Sequence, residues 1–165
     1  SQPGAATEAL MEYVDVYPTL AALTGLTPPG DLDGRSLVPI LKDPSARGRD
    51  VALSQFTRPW KPTGFEAMGY TLRTETQRYT RWVEWPSRKT TAEELYDYTS
   101  KASATQEGAL LIEQENVVAS PAYADSLTRM RAKLDEVLSS RIKLKADETP
   151  ATAEPKSKKK KKKNQ

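Results

Sequence analysis

The sequence predicts an α+β arrangement in which a small antiparallel sheet carries one packed helix. Three observations predict it. The apolar period changes to two from Val51 onward, a hairpin signal sits at Glu75-Thr76-Gln77, and a stripe of helical spacing runs from Tyr123 to Val137.

Residues 1–7 read as an incoming loop, and residues 9–14 as a short β-compatible stretch with Leu10 and Val14 on one side, Met11 and Tyr13 on the other. A helix is expected over Val16–Thr24. Asp15 is its N-cap, Pro18 falls in the first turn where an amide has no intrahelical partner, and Gly25 stops it. Residues 27–35 are turn chemistry almost throughout. A second short helix at 37–42 takes Ser36 as cap and Pro39 in its first turn, and ends before Asp43-Pro44 because a residue preceding proline leaves the helical region. Val51–Phe56 is a strand. Met68–Thr74 and Arg78–Trp85 form the hairpin, with Tyr79, Arg81, Val83 and Trp85 on one face and Thr80, Trp82 and Glu84 on the other. Glu94–Tyr98 is a further short strand. The last helix, about 121 to 139, has Ser120 as cap, Pro121 at its first position, and Tyr123, Leu127, Met130, Leu134 and Val137 at spacings of 4, 3, 4 and 3. After Lys145 nothing remains to bury, and disorder is expected.

Composition excludes more than it assigns. The 165 residues hold 25 Lys+Arg and 22 Asp+Glu, a formal charge of +3, with no Cys and no His. Lys156 and Lys158 to Lys163 lie in the tail, and without residues 146–165 the body keeps 18 basic and 19 acidic residues. The basic character therefore belongs to the tail. Absent Cys removes disulfides, thiolate nucleophiles and zinc clusters. Absent His removes the commonest general base and transition-metal ligand. No catalytic residue and no metal ligand is assigned. No apolar stretch approaches the roughly 20 residues of a membrane helix, and no signal pattern opens the chain at Ser1, which reads as part of something longer.

The strongest local chemistry is Gln55-Phe56-Thr57-Arg58-Pro59-Trp60-Lys61, where a strand passes into an irregular loop. Arg58 offers a planar fork for sulfate, phosphate or carboxylate, Lys61 a second charge and Trp60 a stacking face. Residue type alone favours the plainer alternative of a solvated Arg beside a packing Trp. Arg78 and Arg81 near Glu84 and Trp82 fit cross-strand ion pairs better than a second anion site. Asp31, Asp33 and Asp43 lack the dense alternation of a calcium loop and read as caps and turns. Glu93, Glu94 and Asp97 receive no catalytic role. The Lys run attracts polyanions through counterion release, without a stacking platform for specific nucleic-acid recognition.

Several blocks resemble one family in order. Tyr13-Val14-Asp15-Val16-Tyr17-Pro18-Thr19-Leu20 with Gly25-Leu26 resembles the "V-D-[LIV]-x-P-T-L…A-G-L" segment of sulfatases, and Leu32-Asp33-Gly34-Arg35-Ser36-Leu37 with Pro39-Ile40-Leu41 their "L-x-G-R-S-L-x-P-L-L". Ser54-Gln55-Phe56-Thr57-Arg58-Pro59, Met68-Gly69-Tyr70-Thr71-Leu72-Arg73-Thr74, Arg78-Tyr79-Thr80 and Trp82-Val83 are similar to the iduronate-2-sulfatase branch. Glu94-Leu95-Tyr96-Asp97 and Glu115-Asn116-Val117-Val118 resemble the closing segment.

The resemblance implies an α/β, alkaline-phosphatase-like fold cut late in its large domain. Residues 1–45 would end the catalytic domain, 46–145 form the C-terminal subdomain, and 146–165 a disordered Lys-rich tail. It implies a hydrolase of sulfate esters, with sulfated carbohydrate as substrate, calcium and formylglycine in the complete enzyme, and export to a periplasmic, secreted or lysosomal location. The "C-x-P-S-R" nucleophile motif is absent here. The isolated chain is therefore expected to be inactive, with the missing N-terminal catalytic portion as its partner and exposed apolar surface in residues 8–26. Gln55 and Arg58 are the substrate-binding candidates the resemblance leaves. The stretch 100–114 and the Lys tail depart from the family pattern. A different reading is a stand-alone interaction module whose tail binds polyanions.

Overall fold

The computed structural model describes residues 4–59, 66–99 and 113–141. Its centre is a four-stranded antiparallel meander in the order β1-β2-β3-β4: β1 Ala52–Arg58, β2 Ala67–Arg73, β3 Gln77–Glu84 and β4 Thr90–Asp97. The hairpin between β2 and β3 lies where Glu75-Thr76-Gln77 predicts it, and the Thr74 amide donates to the Gln77 carbonyl at 2.8 Å. β4 is longer than the sequence predicts, and β1 runs two residues further, to Arg58. Ladder pairing with β3 and β2 respectively carries both beyond their apolar residues.

Alternation along the strands sorts the sheet into two faces. Leu72, Tyr79, Val83 and Leu95 share the core face, and an 18-residue helix covers them with Leu127, Met130, Leu134 and Val137, all buried. These four, with Tyr123 partly buried and packed against them, are the predicted stripe. The helix itself spans Ala124–Arg141, and Pro121–Tyr123 form a 3-10 turn ahead of it, so the expected start at 121 is tighter than α-helical.

Two helices precede the sheet: α1 Val16–Thr24 and α2 Val38–Lys42, which makes the helix on the sheet α3. Gly25 ends α1 at φ 72°, as expected of a left-handed stop. Residues 9–14 do not form the predicted strand. Among them Leu10 makes an isolated bridge to Arg49, and from Tyr13 to Asp15 the backbone winds into a 3-10 turn that leads into α1. α2 is capped by Leu37 instead of Ser36, whose Oγ accepts the Val38 amide at 3.3 Å in a local turn.

The first turn and α1 present Met11, Tyr13, Val14, Tyr17, Leu20, Leu23 and Leu26 to solvent, with Tyr13 92% exposed. This is the apolar surface expected of residues 8–26. Among the described residues no helix is long and apolar enough to cross a membrane. The tail after Lys145 and most of the 100–114 stretch lie outside the described residues.

Candidate functional site

The face of the sheet opposite α3 holds Ser54, Phe56 and Arg58 of β1, Gly69 and Thr71 of β2, Thr80 and Trp82 of β3, and Glu94 and Tyr96 of β4. Phe56 pairs with Gly69, and Gly69 with Trp82, so a ring on β3 lies beside a ring on β1 across a residue without a side chain. The Arg58 guanidinium sits 5.2 Å from the Phe56 ring centre and 5.9 Å from that of Trp82. The indole N–H of Trp82 donates to Glu94 Oε1 at 2.9 Å, and the Tyr96 hydroxyl donates to Glu94 Oε2 at 3.0 Å. The Arg58–Pro59 peptide is cis, and the Glu66 amide donates to the Arg58 carbonyl at 3.0 Å, closing the loop between β1 and β2.

Gln55 and Arg58 are both exposed on β1, an edge strand, yet three residues apart they project from opposite faces. Gln55 shares its face with Leu53 and pairs with Tyr70. The structure does not bring the two side chains together, and among the described residues the rings beside Arg58 are Phe56 and Trp82. Trp60 and Lys61 lie outside the described residues.

Several of the other charged side chains singled out in the sequence are paired. Arg78 and Arg81 make ion pairs, but not the cross-strand pairs predicted. Arg78 reaches Glu113 at 2.8 Å on the open face, and Arg81 reaches Asp135 of α3 at 2.5 Å on the core face. Consecutive odd spacing again puts them on different sides. Glu93 accepts from Tyr79 and Arg131, and this pairing with Arg131 holds its carboxyl below the usual range. Asp97 accepts from Thr99 and Tyr123. Asp43 accepts from the amide and hydroxyl of Ser45, the turn role expected of it.

One cluster was not foreseen. Asp15 does not cap α1 with its side chain. Fully buried, it accepts the Glu12 amide at 2.9 Å, the Arg35 amide at 2.8 Å and a fork from Arg49, whose Nε lies at 2.9 Å. Burial opposes ionisation, but the Arg49 guanidinium and the two amides outweigh it and hold the Asp15 pKa at about 2. Beside it Glu12 accepts the Leu53 amide at 2.9 Å and two bonds from Arg141 at 2.5 and 2.7 Å. The cluster therefore ties the segment before α1, the 33–35 loop, the start of β1 and the end of α3 into one unit. Apart from the Glu12 amide three positions away, its partners lie 16 to 129 positions apart in the chain, which leaves no local signal to find those by.

The chemistry these groups support is anion binding and structural pairing. No three Asp or Glu side chains converge to hold a metal among the described residues, and the chain contains no Cys. These described residues do not fit calcium or a formylglycine precursor. An open groove lies elsewhere, between residues 6–10, 44–50 and 74–76, where Arg47 is paired with Asp50 and Arg49 with Asp15.

No protein-family profile matches the sequence, and no curated protein matches it. Solved structures do. A putative sulfatase from Bacteroides thetaiotaomicron VPI-5482 superposes with a TM-score of 0.58 at 25% identity, over 78% of this chain and 24% of its own. A 2-O GAG sulfatase gives 0.59 at 25% identity, over 78% of this chain and 25% of its own. A third protein, solved in complex with its substrate D-glucosamine-2-N,6-O-disulfate, shares the fold at 0.59 and 21% identity. The mixed architecture of an antiparallel four-stranded sheet and packed helices is thus one found in solved sulfatases, of whose length this chain spans about a quarter.

Proposed function

We propose that this chain is the C-terminal part of a sulfatase that hydrolyses sulfate esters of sulfated sugars, and that the nucleophile and metal ligands reside in the rest of that enzyme. The observation that carries the reading is the structural likeness to two sulfatases over 78% of the chain. The 2-O GAG sulfatase among them supports a sulfated carbohydrate as substrate, and the motif blocks of β1 to β4 support the iduronate-2-sulfatase branch. Calcium, formylglycine and export belong to the complete enzyme in this reading. The exposed apolar side of α1 supports the missing catalytic portion as the partner of residues 8–26.

Within the reading, Arg58 serves the substrate rim. Exposed at the end of an edge strand, it stacks on rings and pairs with no carboxylate among the described residues, so its N–H fork remains available to an anion. Gln55 lies on the other face, and its Ala variant separates the two. A charge-assisted hydrogen bond contributes about 1.5–3 kcal/mol. Arg58→Ala in the complete enzyme should therefore raise KM roughly tenfold or more with kcat largely kept. Unchanged kinetics on a sulfated disaccharide would remove Arg58 from the site. The 165-residue chain by itself should show no turnover of an aryl sulfate with calcium, and measurable turnover would overturn the assignment of the machinery to the remainder of the enzyme.

A further inference from the structure

We propose that Trp82 is a positioning residue for Arg58: seated on Gly69 and tethered by Glu94, its ring holds the guanidinium as an open fork for the anionic group of a sulfated sugar. The inference rests on the reading of Arg58 as a rim residue and adds how the fold keeps it there.

A free arginine side chain samples many rotamers, and ordering it on binding weakens affinity. Proteins commonly hold such a side chain with a carboxylate, which occupies the same N–H groups an anionic ligand needs. Arg58 is held differently. Its guanidinium lies against two neutral rings, at 5.2 Å from Phe56 and 5.9 Å from Trp82, and no carboxylate pairs with it among the described residues. Stacking restrains the plane of the group and leaves its edge open.

The position of Trp82 is itself determined from two sides. At one end of the indole, the N–H donates to Glu94 Oε1 on β4, and Glu94 is in turn fixed by the Tyr96 hydroxyl. At the other end, the six-membered ring rests on Gly69 of β2, where an added Cβ would lie 2.8–3.0 Å from three of its carbons. Such a contact is closer than van der Waals packing permits, so any side chain at 69 displaces the ring. The glycine is needed here for close approach and not for its φ. Trp82 thus spans the sheet from β4 to β1, with a hydrogen bond at one end and Arg58 at the other.

Steady-state kinetics of the complete enzyme on a sulfated disaccharide tests this, with thermal melting as the control for folding. Trp82→Leu should raise KM roughly fivefold while kcat stays within about twofold, since one ring face is lost and the charge remains. Gly69→Ala should do the same by moving the ring. Trp82→Phe and Glu94→Gln, which keep a ring face and an acceptor respectively, should restore most of the affinity, whereas Glu94→Ala should not. If Trp82 acts through Arg58, the Arg58→Ala/Trp82→Leu double variant should be no worse than Arg58→Ala alone. Additive losses would overturn the inference. So would a raised KM in Arg58→Ala beside unchanged values in Trp82→Leu and Glu94→Ala, and that outcome would leave the rim role of Arg58 standing. An unchanged KM in Arg58→Ala would end both. Glu94→Ala keeps the inference testable if the Trp82 and Gly69 variants fail to fold.

Discussion

Arg49→Met should destabilise the protein by about 3–5 kcal/mol, because it strands a buried carboxylate. Asp15 is fully buried and its two oxygens are arranged around the Arg49 fork. Removing the guanidinium leaves the amides of Glu12 and Arg35 as its donors among the described groups, and neither carries a compensating charge. Glu12 also loses the Arg49 nitrogen 3.7 Å away, although Arg141 remains. The loss is a large fraction of the roughly 5–15 kcal/mol that holds an ordinary domain together. Denaturant unfolding of the variant checks it, and a midpoint shifted by less than a tenth would contradict the account. The double change Asp15→Leu with Arg49→Met should recover part of the loss, since an apolar pair leaves no unpaired charge.

The same carboxylate sets an acid limit. Its pKa is lowered from 3.8 to about 2 on folding, so the unfolded state binds the proton more readily. The contribution, about 2 kcal/mol, is full at pH values above the unfolded pKa and is lost as pH falls through the folded value of about 2. Asp15→Asn should flatten stability between about pH 4 and 2 relative to the unmodified protein. A slope identical to that of the parent would show that other carboxylates govern acid unfolding.

Tyr79→Ala should cost a similar amount, about 3–5 kcal/mol, for a different reason. Tyr79 is wholly buried on the core face of β3 between Leu72 of β2 and Leu95 of β4, both also without exposure. Truncation opens a cavity under α3 that the flanking strands, held by ladder bonds, cannot close. Its hydroxyl donates to Glu93 and accepts the Arg81 Nε at 3.2 Å. Tyr79→Phe removes only those bonds while Glu93 keeps Arg131 and Arg81 keeps Asp135, so about 1 kcal/mol is expected. Comparing the two by denaturant unfolding separates ring packing from the hydroxyl, and equal losses would sink this division.

The pairs at the Arg58 cluster show where sequence reading stops. The turn at 74–77 sets the hairpin register, and that register alone pairs Gly69 with Trp82. Alternation alone puts Phe56 and Arg58 on one face. What joins the two halves is the pairing of Phe56 with Gly69, on strands separated by residues 59–66, a spacing longer than the two-residue hairpin loops that set a register from the sequence. Arg58 is therefore visible as a candidate from its residue type and its place at the end of a strand, while the part of Trp82, which reaches it across the sheet, is not. Asp15 misled for a related reason. A carboxylate just before a helix reads as a cap, and nothing nearby announces that Arg49 will claim it.

What the sequence by itself determined is what depends on short range: the hairpin, the strand faces, the Gly25 stop and the stripe from Leu127 to Val137 that buries against the sheet. Each follows from a period or a turn residue within a few positions. The absence of Cys and His likewise needed no coordinates to exclude thiol and imidazole chemistry. Only the tertiary structure decided that Gln55 and Arg58 part company at the edge of the sheet, that Trp82 reaches Arg58 over Gly69, and that Glu12, Asp15, Arg49 and Arg141 bind the first helices to the sheet. Those contacts join residues distant in the chain, and their partners are chosen by how the sheet and helices pack, which no local pattern encodes.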